Sequence, residues 1–173
     1  FFMNFVPFSV TSTAPSPRTA SEISASGFSG MQFGQNGDKP VAADFDGDKK
    51  ADVAVYRGGN WYILGSQDGF KAIHFGVATD RPVAADYDGD NKADVAVYRS
   101  GNWYILRSRD GFIGVGFGVE SDTPVPADYN GDGRTDIAVY RDGTWHVLDS
   151  GTAEAGYRAV QFGAATDMPV SYR

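Results

Sequence analysis

Short runs of β-branched, aromatic and small apolar residues, separated by turn residues, recur along most of the chain. The stretch from 82 to 117 shows the pattern well, with runs at 82–87, 93–99, 102–106 and 112–117. Asp88-Gly89, Ser100-Gly101 and Asp110-Gly111 lie between these runs. Runs of this length bounded by Asp, Gly and Ser indicate β-strands joined by tight turns. No stretch shows a helical period or the 18 or more apolar residues of a membrane span.

The same pattern repeats along the chain. Trp61, Trp103 and Trp145 lie 42 residues apart, and Phe-Gly pairs begin at residues 33, 75, 117 and 162. Residues 33–74 and 75–116 align without gaps at 29 identical positions of 42. The third copy, 117–161, differs mainly by a three-residue insertion around residues 151–156. The chain is therefore a tandem repeat.

Four strands in about 42 residues is the size of one blade of a β-propeller. We predict an all-β fold of tandem four-stranded propeller blades, with three full repeats and partial blades at both ends. Residues 27–34 match the last strand of a blade, and residues 162–173 match the start of a fourth copy. The predicted repeat region is therefore 27–173.

Residues 1–26 form a separate predicted segment, a Phe-rich arm followed by a Ser/Thr/Ala/Pro-rich linker. The arm either docks as an extended strand or is a disordered or processed terminus. Three blades are too few for the usual closed propeller, and unpaired strand edges favour pairing with another chain. Either both ends improvise a closing blade, or neighbouring chains complete one another, or the chain is a fragment.

Composition limits the possible chemistry. The 173 residues contain no cysteine and two histidines, which excludes thiolate chemistry and leaves oxygen ligands for any metal. The formal charge of −7 argues against binding to nucleic acid, which requires a basic surface. Of the 22 acidic residues 19 are aspartates, which favour turns and ion sites.

Aspartates concentrate in a nine-residue loop after the first strand of each copy, at 44–52, 86–94 and 128–136. Acidic or amide side chains occupy positions 1, 3, 5 and 9. Carboxylates this close together repel one another unless a cation lies between them. Ca²⁺ takes six to eight oxygen ligands, whereas Mg²⁺ keeps most of its waters, so the loops predict three calcium sites. The alternative is an ordinary Asp-Gly turn, which needs only one or two such residues.

An EF-hand is excluded because position 12 is Val55, Val97 or Val139 rather than Glu. The third loop has Asn130 in place of an aspartate, so its site should be the weakest if charge dominates. The loops hold 11 of the 22 acids, and three bound Ca²⁺ ions would bring the formal charge to −1. The acidity is therefore interpreted mostly as ion-binding capacity.

The Phe-Gly pair, the Pro-Val-Ala-Ala-Asp lead-in, the Asp-x-Asp-Gly-Asp-x-x-x-Asp loop and the Ala-Val-Tyr-Arg strand resemble the FG-GAP or VCBS repeats of integrin-α-like β-propellers, especially the bacterial secreted kind. The resemblance covers about residues 27 to 173. It implies an extracellular protein serving adhesion, carbohydrate binding or assembly. It also implies Ca²⁺ ligation by side chains at positions 1, 3, 5 and 9 and by the carbonyl at position 7. The implied ligands are Asp44, Asp46, Asp48, Lys50, Asp52, Asp86, Asp88, Asp90, Lys92, Asp94, Asp128, Asn130, Asp132, Arg134 and Asp136.

Three further sets of residues bear on function. The tryptophans, with Tyr62, Tyr104 and His146, pack between blades or form platforms for sugar rings. Arg57, Arg99 and Arg141 are expected to pair with a loop aspartate or a neighbouring blade. His74 and His146 occupy unrelated repeat positions, so we expect no enzyme activity.

The function predicted from the sequence is therefore that of an extracellular calcium-binding structural or adhesive protein. We expect it to form a homo-oligomer or filament through unpaired terminal strands. The alternative is a lectin-like module that uses the repeated Trp and Tyr residues. A glycan or a cell-surface protein is a possible partner, and nucleic acid is not expected.

Overall fold

The computed structural model describes residues 30–150 and 156–170 of the chain. All the strands in this part belong to three four-stranded antiparallel sheets, and the described residues contain no helix. We call the sheets blade 1, blade 2 and blade 3. The chain divides into two compact units, residues 1–36 and 37–173, and all three blades lie in the second.

Each blade is a meander in which consecutive strands are hydrogen-bonded neighbours. Blade 1 contains β1 (Lys39–Ala43), β2 (Asp52–Arg57), β3 (Asn60–Gly65) and β4 (Gly69–His74). Blade 2 contains β5 (Arg81–Pro82), β6 (Val95–Arg99), β7 (Asn102–Arg107) and β8 (Gly111–Gly116). Blade 3 contains β9 (Thr123–Pro124), β10 (Ile137–Arg141), β11 (Thr144–Leu148) and β12 (Tyr157–Gln161). The predicted all-β fold of tandem four-stranded repeats is confirmed.

The first strand of blade 2 is shorter than the sequence predicts. The run 82–87 was expected to form one strand, but β5 covers only Arg81–Pro82. Pairing with the next strand continues through the amide of Val83, which donates to the carbonyl of Ala96, and through a bridge between Ala85 and Asp94. The strand cannot continue beyond this bridge because the chain turns there into the aspartate loop.

The second strand of blade 2 is buried from Val95 to Tyr98. Side chains alternate between the two faces of a strand, so burial on both sides means that both faces are covered. Val95 and Val97 pack with the core of blade 1, whereas Ala96 and Tyr98 pack with residues of blade 3. This double burial explains why the strand is a continuous apolar run.

The hydrophobic cores lie between adjacent blades. One cluster joins Tyr56, Trp61 and Ile63 of blade 1 to valines of blade 2, and a second joins Tyr98, Trp103 and Ile105 of blade 2 to Ile137 and Val139 of blade 3. The third cluster contains residues of blade 3 alone. Blades 1 and 2 therefore each bury their tryptophan against the following blade. The described residues provide no such cover for the tryptophan of blade 3.

The recurring Phe-Gly pair lies at the junction between blades. Gly118 has a φ of +111°, and a Cβ atom there would lie 2.6 Å from the Tyr98 hydroxyl and 3.1 Å from a methyl group of Val139. The Tyr98 hydroxyl donates to the carbonyl of Val119 at 2.6 Å. Glycine is required at this position for its positive φ and for the close approach of two blades.

The ends of the repeat region differ from the prediction of partial blades. Residues 30–38 and 162–170 form no strand, and residues 27–29 and 171–173 lie outside the described part. The predicted arm and linker, residues 1–26, and their boundary with the repeats also lie outside it, so these remain predictions. Within the residues described, the search for helices long and apolar enough to cross a membrane found none.

Candidate metal centre

The three aspartate loops connect the first strand of each blade to the second, at residues 44–52, 86–94 and 128–136. Each loop turns twice through positive φ. Position 4 is glycine in every loop, while position 6 is Lys49 (φ 69°), Asn91 (φ 67°) or Gly133 (φ 83°). These turns fold the loop back on itself, which brings its acidic side chains together.

The aspartate at position 1 organises each loop from within. Asp44 accepts the amide of Gly47 at 2.6 Å through one oxygen and the amide of Lys49 at 2.7 Å through the other. Asp86 and Asp128 accept the corresponding amides of their own loops. Such side-chain to backbone bonds are the usual reason that aspartate favours turns.

The aspartate at position 9 closes each loop against the rest of its blade. Asp52 is buried and accepts the amide of Phe45 at 2.8 Å and the amide of Ser66 at 2.7 Å. Asp94 and Asp136 make the equivalent pairs of bonds. Position 9 therefore ties the loop to the turn after the third strand, a role that the sequence reasoning missed. The available signal was a serine at the same place in every copy, Ser66, Ser108 and Ser150.

In the first loop, Asp44, Asp46 and Asp48 each offer a carboxylate oxygen within 4.8 Å of the others. Asp46 is buried and accepts the amides of Gln67 and Asp68. Asp48 accepts the Ser66 hydroxyl at 2.6 Å, and this hydrogen bond is the main cause of its lowered pKa. Three carboxylates in such proximity form an oxygen-rich group that could hold a divalent cation.

In the second loop the corresponding group is Asp86, Asp88 and Asp94. The side chain of Asp88 is fully buried, and its Oδ2 accepts the amides of Arg109 and Asp110 at 3.0 Å. Its Oδ1 is also buried and has no hydrogen-bond partner among the described residues. A buried carboxylate oxygen without a partner is costly, and a coordinated cation would satisfy it. The second loop therefore fits an oxygen-ligated metal ion.

Burial and charge act together on Asp94. Burial and, to a smaller extent, the nearby charge of Asp88 raise the pKa of Asp94 to about 6, against the opposing hydrogen bonds from the amides of Ser108 and Tyr87. A carboxylate whose proton affinity is raised by a neighbouring negative charge also attracts a cation more strongly. The raised pKa of Asp94 therefore agrees with cation binding by the carboxylates of this loop.

The third loop is more open. Asp128, Asn130 and Asp132 are exposed, whereas Asp46 and Asp88 in the other loops are buried. The Asn130 amide donates to Asp132 at 3.3 Å. No group of three acidic ligands within 4.8 Å occurs in the described residues of this loop. The third loop thus offers fewer charged ligands than the other two, as Asn130 in place of an aspartate predicts.

The predicted ligands are therefore placed unequally. Asp44, Asp46 and Asp48 come together in the first loop, and Asp86, Asp88 and Asp94 in the second, while Asp52 and Asp90 lie outside these groups. Asp90 instead accepts the Ser108 hydroxyl at 2.6 Å. The amides at position 7 donate to position 5, and the residues concerned are Lys50, Lys92 and Arg134.

The repeated tryptophans belong to the core. Trp61 and Trp103 are completely buried, and Trp145 is half-buried. Each indole N–H donates to the carbonyl of a junction residue. The packing interpretation is confirmed for Trp61 and Trp103, and their alternative use as exposed sugar platforms is wrong, because a buried ring cannot stack on a ligand.

The repeated arginines form ion pairs with an aspartate that precedes the first strand. Arg99 donates two hydrogen bonds to Asp80, at 2.6 and 2.8 Å, and Asp80 is fully buried. Arg57 with Asp38 and Arg141 with Asp122 repeat this geometry. The predicted pairing with an aspartate of the loops is wrong, because each partner lies before the first strand of the blade and outside the loops.

Comparison with known families supplies one further observation. Residues 86–139 match the family model for the FG-GAP-like repeat. The match begins at the first aspartate of the second loop and ends in the second strand of blade 3. It supports the FG-GAP or VCBS resemblance for this part of the chain. Comparisons with curated proteins and with solved structures gave no significant match.

Proposed function

We propose that the protein is an extracellular, calcium-binding repeat scaffold with a structural or adhesive role rather than a catalytic one. The observation that carries the proposal is the buried Oδ1 of Asp88, which has no hydrogen-bond partner in the described part of the chain and lies in a group with Asp86 and Asp94. A bound cation would supply positive charge where buried carboxylates repel one another.

Calcium is favoured over magnesium because the loops offer several protein oxygens each. Ca²⁺ accepts six to eight such ligands, whereas Mg²⁺ is usually held by one or two carboxylates and retains its waters. In the second loop Asp86, Asp88 and Asp94 would hold the ion, and in the first loop Asp44, Asp46 and Asp48 would do so. The third loop is proposed as a weaker site, with Asp128, Asn130, Asp132 and Asp136 as its side-chain ligands.

The proposed role of the cation is mechanical. Each loop joins the first two strands of its blade, and the position 9 aspartate ties it to the turn after the third strand. An ion in the loop would therefore hold three strands of a blade together. A non-catalytic role agrees with the two histidines, since His74 contacts Asn60 and His146 contacts Tyr157, far apart in the repeat pattern.

We also propose that copies of the chain associate with one another, as expected of a scaffold. Extracellular location is supported by the matched repeat family. A glycan or a cell-surface protein as a further partner stays a prediction from the sequence.

The test is thermal unfolding of chelator-stripped protein titrated with Ca²⁺ or Mg²⁺. A ligand that binds only the folded state stabilises it by about 2.7 kcal/mol at a hundred times its Kd. We expect Ca²⁺ to raise the Tm strongly and Mg²⁺ to raise it little. Asp88→Asn should lose part of the response to Ca²⁺.

The matched control is Asp142→Asn, which removes the same charge from an exposed turn between β10 and β11. Its response to Ca²⁺ should equal that of the wild type. A Tm that does not change with Ca²⁺ would refute the metal assignment. A calcium response that Asp88→Asn leaves intact would remove the second loop as a binding site.

A further inference from the structure

Each blade has two unlike faces. We call the face that carries Trp61, Trp103 or Trp145 the tryptophan face of blade 1, 2 or 3. The opposite face, which presents Val53 and Val55 in blade 1 and the equivalent residues in the others, we call the valine face. Within the chain, the tryptophan face of one blade always packs against the valine face of the next.

This arrangement leaves two unlike faces at the ends of the series. On the valine face of blade 1, Val53 is 38% exposed, whereas its equivalent in blade 2, Val95, is 5% exposed. On the tryptophan face of blade 3, Val160 is 53% exposed, and it pairs across the sheet with the half-buried Trp145. A cleft of about 610 Å³ on this face is lined by Tyr129, Trp145, Val147, Arg158, Val160 and Phe162, among others.

The two end faces are complementary because the repeats share most of their apolar positions. The residues with which blade 2 covers blade 1 include Ala84, Val95 and Val97. The residues at the same repeat positions of blade 1 are Ala42, Val53 and Val55. Blade 1 therefore carries the apolar set that covers a tryptophan face elsewhere in the molecule. Val53 is 38% exposed but Val55 only 6%, so docking requires the residues that cover Val55 to move aside.

An aromatic contact between outer strands repeats at each junction. Phe75 meets Phe112, and Phe117 meets Tyr157, both edge to face with ring centroids 6.2 Å apart. Phe162 occupies the next position in this series and is 78% exposed. Phe70, the equivalent of Phe112 in blade 1, is 44% exposed. The two ends thus carry the two halves of the same contact.

A long basic side chain also crosses each junction. The side-chain carbons of Lys92 in blade 2 lie close to Gly47 in blade 1, where an added Cβ atom would be 3.2 Å from them. A Cβ atom added at Gly89 in blade 2 would likewise be 3.0 Å from a side-chain carbon of Arg134 in blade 3. The corresponding glycine of the third loop, Gly131, has nothing within 4 Å. The corresponding basic side chain, Lys50 of blade 1, is 75% exposed.

Backbone hydrogen bonds follow the same series. The amide of Ala93 donates to the carbonyl of Asp44 at 2.6 Å, and the amide of Thr135 donates to that of Asp86 at 2.7 Å. The next pair in this series would join the amide of Ala51 in blade 1 to the carbonyl of Asp128 in blade 3. Among the described residues these two groups make no such bond.

We propose that the tryptophan face of blade 3 docks on the valine face of blade 1 of a second copy, in the register used between blades of one chain. Propellers contain about four to eight blades. Two copies of this 173-residue polypeptide together supply six of the described blades, which lies within this range, so two copies would close a ring. A head-to-tail contact that closes after two copies gives a dimer rather than a filament. The inference rests on the proposed self-association and names its surface and its stoichiometry.

The docking also specifies a partner for Asp167. This carboxylate accepts the amide of Ala164, as Asp80 and Asp122 accept the amides of Val77 and Val119. Asp80 and Asp122 each hold an arginine of the following blade, but Asp167 has no cationic partner among the described residues. In the dimer Asp167 would take the place of Asp38 at Arg57 of the other copy. The residues that precede blade 1, including Asp38, would move away from Arg57, so that one arginine–aspartate ion pair replaces an equivalent one.

The experiment measures the mass of the full chain in Ca²⁺ by sedimentation velocity and light scattering over a range of concentrations. The wild type should have twice the mass of one chain. Val53→Asp blocks the valine face and Val160→Asp blocks the tryptophan face, so each variant alone should be monomeric. Val77→Asp is the matched control, because Val77 is 45% exposed but lies on neither end face, and it should remain dimeric. Circular dichroism checks that all three variants are folded.

Mixing the two blocked variants is the decisive step. Val53→Asp retains a functional tryptophan face and Val160→Asp a functional valine face, so a mixture should form dimers held by one junction. A mixture that stays monomeric at high concentration overturns the docking.

The remaining outcomes separate this inference from the proposed function. A monomeric wild type overturns both the self-association and the docking. Dimers that survive both face substitutions leave self-association standing and overturn the docking surface. Polymers that grow with concentration, and that both substitutions abolish, overturn only the closed ring.

Discussion

Blade 2 and blade 3 share the same repeat pattern but lie in different surroundings. Blade 2 is covered on both faces, and Trp103 and Asp88 are fully buried. Blade 3 is covered on one face, so Trp145 is half-buried and Asn130, the counterpart of Asp88, is exposed. The environment of a repeated residue is therefore set by the neighbouring blade as much as by its own repeat.

The aspartate loops show the same contrast. Arg134 of blade 3 lies over Gly89 in the second loop, whereas nothing lies over Gly131 in the third. Covering a loop removes water from its carboxylates, which strengthens both their repulsion and their attraction for a cation. A loop that matches the repeat motif can thus differ in strength from its neighbour through burial alone.

The largest expected difference between the two blades concerns their tryptophans. Trp103→Ala should destabilise the protein by about 3–5 kcal/mol, the usual loss for a buried aromatic residue. Trp145→Ala should cost about half as much, because solvent already reaches its ring. Chemical denaturation of both variants in Ca²⁺ measures the free energies of unfolding. Equal losses would show that the two rings are equally buried in solution, which the dimer would produce at high concentration.

A smaller difference is expected at the junction glycines. A Cβ at Gly118 would crowd the Tyr98 hydroxyl, Asp122 and Val139, while the atoms nearest a Cβ at Gly163 belong to Tyr140 and Asp167 only. Because a tyrosine hydroxyl would lie 2.6 Å from the new Cβ at both sites, Gly118→Ala and Gly163→Ala should each cost about 1–3 kcal/mol more than Gly111→Ala, the usual penalty of overpacking, and Gly118→Ala should cost the most because Val139 is also close. Gly111→Ala is the control, because its φ is positive but nothing lies within 4 Å of its Cβ. If all three variants lose the same stability, crowding at the junction is unimportant.

The third prediction concerns the ion pair between Asp122 and Arg141. Burial alone would raise the pKa of Asp122, but the hydrogen bonds and charge of Arg141 and the amide of Val119 outweigh it and lower the pKa. A carboxylate with a lowered folded pKa contributes stability above its unfolded pKa of about 3.9, and this contribution is lost as the pH falls through the folded pKa. Asp122→Asn should therefore flatten the acid limb of a plot of Tm against pH.

Calorimetric scans between pH 7 and pH 2 at low protein concentration would compare Asp122→Asn with the wild type. Identical acid limbs for Asp122→Asn and the wild type would contradict the role assigned to the ion pair.

The smallest expected effect is a gain at the third loop. Asn130→Asp gives this loop the carboxylate that the other two have at position 3. The added charge should raise its calcium affinity about tenfold, or about 1.4 kcal/mol, because ligand charge tunes such sites. Calcium titration calorimetry would detect the change, and Asn36→Asp, which adds the same charge at an exposed turn outside the loops, serves as the control for net charge. An unaltered affinity would mean that exposure, rather than charge, limits the third loop.

Much of the fold was predictable from spacing. Tryptophans 42 residues apart and Asp-Gly turns between apolar runs were sufficient for four-stranded repeats, because each blade is a local meander. The burial of Val95 and Val97 on one side and of Ala96 and Tyr98 on the other depends on contacts between blades, which a local pattern does not specify. Spacing likewise gave no indication that β5 would stop at Pro82.

The aspartate loops were predictable as a set, but the individual roles of their residues were not. Position 9 contains an aspartate in every copy, so the sequence does not distinguish a metal ligand from a carboxylate that holds the amides of Phe45 and Ser66. The partner of Arg99 was also ambiguous, since Asp80 lies outside the loops yet recurs with the same spacing. Resolving such alternatives requires the distances between side chains.

The most direct test of the calcium-binding account is the number of Ca²⁺ ions bound per chain, measured by titration calorimetry on chelator-stripped protein at neutral pH. The account predicts saturable binding, with Asp88→Asn lowering the stoichiometry by one ion and Asp142→Asn leaving it unchanged. Absence of saturable Ca²⁺ binding to the wild type would contradict it.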